Sequence, residues 1–197
     1  MTVHSSHKND KPVLFYEKRG TGKNIIVLIH GFGLNRKSWY DISDLLIKNA
    51  KIYMVDLIGS GNSPAPENFP YTIQSQVGAV LDFILRKGFS EVTLVGHSYG
   101  GGVSLMLLHQ MMEKGCDDIV KQLVLIAPAA YPQPLPFFIV IPGIPFLGPF
   151  LMKHISAELQ IRMTFKAIFY DSRTVTRERI NRYKNNVKSH SHRQALI

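Results

Sequence analysis

Ser98 lies in the run Gly96-His97-Ser98-Tyr99-Gly100, with a glycine two residues away on either side. A serine hydroxyl becomes a nucleophile toward a carbonyl carbon when a base takes its proton. The bare pattern is weak, because glycine at about 7% and serine at a similar level produce it by chance in roughly one chain in fifteen of this length. Its surroundings make it specific. Glu91-Val92-Thr93-Leu94-Val95 reads as a strand running into it, and Gly102 to Glu113 reads as a helix leaving it. A serine on a sharp strand-to-helix turn needs small flanking residues, because the backbone is strained there. Such a turn lifts Oγ out of the sheet beside a helix N-terminus, where backbone N–H groups can stabilise an oxyanion.

A second run, His30-Gly31-Phe32-Gly33, follows the apolar stretch Ile25 to Ile29. A loop there can turn its amides toward the Ser98 turn, so Phe32 N–H and Tyr99 N–H are the expected oxyanion donors. His30, Gly31, Gly33 and His97 are expected around the substrate pocket. His30 reads as a residue that fixes its loop by hydrogen bonding rather than as a base. His97 reads as structural, because adjacent residues on such a turn point apart. The later histidines His154, His190 and His192 follow no strand and read as surface residues. Asp171 is the post-turn acid that merits testing, and it reads as a helix cap. No base for Ser98 is identifiable within the chain, and neither a metal nor a cofactor is expected.

These groups need a scaffold, and the first two-thirds of the chain supplies its rhythm. Val13 to Glu17, Ile25 to Ile29, Lys51 to Asp56, Glu91 to Val95 and Gln122 to Ala127 read as strands. Continuous apolar runs such as Ile25 to Ile29 suit strands buried on both faces. Ser38 to Asn49 has helical spacing, with Trp39, Ile42, Leu45 and Leu46 on one side. Thr72 to Lys87 repeats it with Val77, Val80, Leu81, Ile84 and Leu85. Strand alternating with helix predicts an α/β fold, a doubly wound and mostly parallel sheet. Residues 1–130 form the expected core. Residues 131–197 form a proline-rich lid segment and the start of a helical cap.

Composition sets outer bounds. The chain has 197 residues, 45% of them apolar and 19% charged, as in an ordinary globular domain. Its net charge of +9 is concentrated late: residues 1–152 carry 13 basic and 11 acidic side chains, residues 153–197 carry 10 and 3. No nucleic-acid motif accompanies that basic segment, so it reads as a solvated helical face. Cys116 is the single cysteine, and Met1 to Asp10 has no apolar core of a signal peptide, which points to the cytoplasm. Leu135 to Met152 is uncharged, yet Pro136, Pro142, Pro145 and Pro149 interrupt it. It therefore reads as an apolar lid or pocket wall rather than a membrane span.

Together these blocks resemble the α/β-hydrolase superfamily, in its branch of cap-bearing serine esterases and C–C bond hydrolases. His30-Gly31-Phe32-Gly33 with Trp39 resembles the HG-x-G…W block. Asp56-Leu57-Ile58-Gly59-Ser60-Gly61-Asn62-Ser63 resembles the D-L-x-G-x-G-x-S block, a structural loop. Gly96 to Gly102 resembles the nucleophile elbow, and Leu123 to Pro128 the strand before the cap. Phe169-Tyr170-Asp171 and Arg179 to Ile197 resemble the cap itself. The resemblance implies acyl transfer through Ser98 on a small apolar ester or ketone. It also implies a triad acid and histidine on later strands. Those strands are not in this sequence, so a C-terminally truncated hydrolase of weak or no activity is expected. Two other readings stay open: a non-catalytic binder of a small apolar ligand, and a peripheral membrane or interaction module. A homodimer is a further possibility, covering the sheet edge left open.

Overall fold

The computed structural model describes residues 12–132, 134 and 137–183. Five strands form one sheet: β1 (Phe15–Arg19), β2 (Asn24–Ile29), β3 (Ala50–Asp56), β4 (Val92–His97) and β5 (Val120–Ile126). Their spatial order is β1-β3-β2-β4-β5. β2, β3, β4 and β5 run parallel, while β1 pairs antiparallel with β3 from Phe15↔Asp56 to Arg19↔Ile52. That register starts β1 two residues later than the sequence pattern suggests.

The apolar strands alternate sides as a pleated backbone requires. From β2 and β3, Val27, Ile29, Tyr53 and Val55 enter one core, and Leu28, Ile52 and Met54 enter the other. The larger core is closed by α2 (Ile73–Arg86) and α3 (Tyr99–Glu113). α2 contributes Val77, Val80, Leu81 and Ile84, and α3 contributes Val103, Leu107 and Met111 at helical spacing. Thr72 caps α2, its hydroxyl accepting from Ser75 N–H.

The smaller core lies under Trp39 and α1 (Tyr40–Leu46). Here the expected helix over Ser38 to Asn49 is replaced by a 3-10 turn, Arg36–Trp39, and seven helical residues. Trp39 is buried, but Ile42 and Leu45 are exposed, Leu45 at 81%. So short a helix has one residue row against the sheet, and Trp39 with Leu46 fills it.

Beyond β5 the expected lid forms short pieces, α4 (Phe137–Val140) and α5 (Leu147–His154), with a 3-10 turn between them. No helix among the described residues is long and apolar enough to cross a membrane. α6 (Ala157–Ile168) and α7 (Arg177–Tyr183) share a cluster of Ile161, Phe165, Ile180 and Tyr183. Leu34, from the loop after β2, packs against that cluster.

Strand order fixes where a site can form. After β2 the chain crosses to β3 on one side, and β4 then lies on the other side of β2. The loops leaving the C-terminal ends of β2 and β4 therefore diverge. The crevice between such loops is where open parallel sheets bind ligands.

Candidate active site

Ser98 follows β4 directly and has φ 52° and ψ −119°, a positive-φ conformation that a non-glycine residue adopts only under strain. The surrounding backbone holds it there. Ser98 N–H donates to Ile126 O at 3.0 Å, and its carbonyl accepts from Gly101 N–H at 2.9 Å and Ala129 N–H at 2.9 Å. β5 and the residues after it thus brace the turn.

The flanking glycines are required by close approach. A Cβ on Gly96 would lie 2.5 Å from Ser104 Oγ and 2.7 Å from Gly101 Cα. A Cβ on Gly100 would overlap the carbonyl oxygens of Ile29 and His30. The first turn of α3 is therefore pressed against the end of β2, which brings the two glycine-rich runs together. A Cβ on Gly31 would lie 3.1 Å from Ser98 Cβ and 3.0 Å from His97 Nδ1.

Phe32 N–H and Tyr99 N–H donate no hydrogen bond to any described residue. For Tyr99 this is the ordinary condition of a first helical residue. Two unpaired amides next to a hydroxyl can receive charge developing on a carbonyl oxygen. The two rings meet edge to face, with centroids 6.2 Å apart. Burial pushes the Tyr99 phenol up to about 12, so it stays protonated at neutral pH.

His30 holds the loop and is not free to act as a base. Leu57 N–H donates to its Nε2 at 3.0 Å, so Nε2 is unprotonated and the proton resides on Nδ1, 2.8 Å from Gly31 O. Complete burial lowers its pKa and favours this neutral form. His97, half-buried, is also held below its usual pKa by burial and stands edge-on to Trp39.

A pocket of about 110 Å³ opens here. Its lining comes from His30, Gly31, Phe32 and Gly33 after β2, from Leu57, Ile58 and Ser60 after β3, and from Tyr71, Gln76 and Tyr99. Ser98 borders it through its neighbours Gly31 and Tyr99, and His97 is not part of the lining.

Five lining residues were not expected at the pocket: Leu57, Ile58 and Ser60, read only as a structural loop, with Tyr71 and Gln76. Gln76, buried on the apolar face of α2, clamps the loop after β3: Ile58 N–H donates to Oε1 at 3.0 Å and Nε2 donates to Ile58 O at 2.8 Å. A glutamine in register with Val80 and Ile84 was the available signal. Tyr71, with φ 49°, and Ser60 reach the pocket through tertiary folding alone.

Asp56, fully buried at the end of β3, is engaged by Arg36 and the loop after it. Its carboxylate accepts from Arg36 N–H at 2.7 Å, Arg36 Nη1 at 2.6 Å and Asn62 N–H at 2.8 Å. Asp171 caps a 3-10 turn, accepting from Arg173 N–H at 2.9 Å. His154 is exposed and packs on Phe150. His190, His192 and the cap-like residues after 183 lie outside the described residues. Among the described residues nothing hydrogen-bonds Ser98 Oγ, and no group of three or more His, Cys, Asp or Glu is placed to hold a metal.

Comparison with known proteins decides the family. A model described as the alpha/beta hydrolase fold matches residues 24–149. The chain belongs to the α/β-hydrolase family. Its Gly96–Gly100 turn and His30–Gly33 loop both fall inside the matched segment. An uncharacterised protein of Mycobacterium tuberculosis is 30% identical over 102 residues, covering 52% of this chain and 28% of the relative. The pimeloyl-[acyl-carrier protein] methyl ester esterase of Aeromonas salmonicida is 34% identical over 94 residues, covering 46% and 34%. This α/β hydrolase thus spans about a third of the length of those relatives or less. The meta-cleavage product hydrolase of Pseudomonas fluorescens IP01, a mutant form complexed with acetates, superposes with a TM-score of 0.75 at 18% identity. That match covers 93% of this chain and 63% of that one.

Proposed function

We propose that the protein is a serine hydrolase of small apolar esters or ketones, with Ser98 as nucleophile and the amides of Phe32 and Tyr99 as the oxyanion hole. The observation that carries this reading is the strained Ser98 backbone, packed against a loop whose Phe32 amide has no partner among the described residues. Strain of this kind persists only where surrounding structure enforces it, and it concentrates at active sites. The esterase named among the relatives agrees in reaction type.

Attack by Ser98 Oγ forms a tetrahedral adduct and moves charge to the carbonyl oxygen, which the two amides receive. The Oγ proton must go to a base. His30 is committed to Leu57 and Gly31, so the proposal assigns the base to a group outside the described residues. Added imidazole can serve in place of such a base. The test is hydrolysis of p-nitrophenyl acetate with and without imidazole, in the protein and in Ser98→Ala. A rescued rate that vanishes in Ser98→Ala supports the reading. Equal rates in the two proteins refute it.

A second reading, a binder without turnover, draws on the same absence of a base at Ser98 among the described residues. Ligand-induced thermal stabilisation with no Ser98-dependent hydrolysis would favour it. A cytoplasmic location belongs to the proposal and rests on the single Cys116. The homodimer draws on β5, which pairs with β4 alone among the described strands. Sedimentation at two concentrations tests it.

A further inference from the structure

We infer that the α4–α5 lid is a docking surface for a bilayer that carries anionic lipid. Its phenylalanines enter the headgroup boundary, and the cations that follow it in the chain lie against the headgroups. Binding there needs neither Ser98 nor turnover.

The pocket beside Ser98 makes no use of the lid, since none of its lining residues comes from α4, α5 or the turn between them. Phe137, Val140, Ile144, Phe146, Leu147 and Phe150 are all exposed, on short pieces that pack against one another. The three phenylalanines alone expose about 400 Å², the size at which an apolar patch marks an interaction site. Phe146 is the extreme, 92% exposed. It has φ 64°, and Leu147 N–H donates across it to Pro145 O at 2.7 Å, a γ-turn of the strained hand. The backbone thus holds a bulky ring out in water at a cost in strain and in apolar exposure. Transfer of the ring to an apolar phase removes the second cost.

Charge selects the occupant. Residues 122–152 hold no charged side chain, while residues 153–197 hold 10 basic and 3 acidic ones. α6 begins three positions after α5 ends. On α6, Ile161 and Phe165 are buried with Ile180 and Tyr183 of α7, and Leu159, Arg162, Met163 and Lys166 share an exposed face. Arg162 keeps a loose contact with Glu158 at 3.8 Å. A helix face that mixes apolar side chains with cations suits the headgroup layer. No described helix is long and apolar enough to cross a membrane, so the lid lies on the surface. A second copy of the chain would bring the same positive charge to the patch, which opposes pairing there. An anionic leaflet instead gains about fivefold in affinity for each Lys or Arg near its surface.

The test is flotation of the full chain with vesicles of phosphatidylcholine alone, or of phosphatidylcholine and phosphatidylserine in equal parts. Affinity should be about tenfold higher or more for the anionic vesicles and should fall as salt rises. Phe146→Ser with Phe150→Ser should lower it about tenfold or more, and Arg162→Gln with Lys166→Gln by a similar factor. Leu45→Ser, at an exposed apolar position on α1, should leave it unchanged. Phe146→Trp should show a blue shift of its added fluorescence when anionic vesicles are present. Circular dichroism checks that each variant is folded, and the charge variant carries the test where the phenylalanine variant is not. No binding to anionic vesicles, equal binding to both kinds, full binding by the folded phenylalanine variant, or an equal loss in Leu45→Ser overturns the inference. Self-association that the phenylalanine variant loses, without vesicle binding, also overturns it and gives the patch to a second copy.

Discussion

Replacing Asp56 by alanine should destabilise the protein by about 4 kcal/mol while leaving the Ser98 turn untouched in the folded molecule. The magnitude follows from what the carboxylate holds. It is fully buried and paired with Arg36, whose side chain is 9% exposed. Stranding one partner of a buried ion pair costs about 3–5 kcal/mol, and Arg36 keeps only the longer contact of its Nε with Glu17 at 3.3 Å. The amides of Arg36 and Asn62 lose their acceptor as well, at about 1–3 kcal/mol for each buried donor. These losses share one network and do not add in full. Asn62 is also exposed enough for water to replace Asp56. The working value is therefore ~4 kcal/mol, a large share of the ~5–15 kcal/mol that holds a domain folded. At ~2–4 °C per kcal/mol for a chain of this size, Tm falls by about 8–16 °C. Urea unfolding followed by circular dichroism measures the loss. Arg36→Met in the same protein removes the stranded charge, so the double variant should be more stable than Asp56→Ala alone. A loss under about 1 kcal/mol in Asp56→Ala, or strict additivity in the double variant, would refute the reasoning.

Gly100→Ala should leave little folded protein, or protein without Ser98-dependent hydrolysis, since its Cβ overlaps two backbone carbonyls that cannot move aside. Soluble yield and the imidazole-rescued rate measure this, and a wild-type result on both contradicts it. Gln76→Leu should cost about 2–4 kcal/mol in urea unfolding, because Ile58 N–H and C=O both lose their partner in a buried wall. Stability should fall as pH drops below about 6.5. His30 is held neutral in the fold with its pKa below the ordinary 6.5, so the unfolded chain takes up the proton first. The slope is at most about 1.4 kcal/mol per pH unit for this residue and continues down to the folded-state pKa. His97 is shifted in the same direction by burial, so Tm against pH is compared in the protein and in His97→Phe. A slope absent from both contradicts the assignment of His30.

The central strands were legible because burial on both faces turns a strand into an unbroken apolar run, as in Ile25 to Ile29. α2 was legible because Val77, Val80, Leu81 and Ile84 repeat at helical spacing. α1 misled because Ile42 and Leu45 carry that spacing without burial. The Gly96–Gly100 turn could be read because its glycines sit where strand gives way to helix. The reason for those glycines, Gly96 against the first turns of α3 and Gly100 against the end of β2, needed the fold. The pocket was the least legible part. Phe32 and Tyr99 were marked by the glycines beside them. Tyr71, Ser60 and Gln76 arrive from separate loops and a helix, and only the sheet order brings them to one place.

Ser98 Oγ is the proposed reacting atom. Protein incubated with a fluorophosphonate in the presence of imidazole, then digested and mapped by tandem mass spectrometry, should carry the adduct on Ser98. The Ser98→Ala protein should carry none. An adduct on another residue, or equal labelling of the Ser98→Ala protein, would contradict the account.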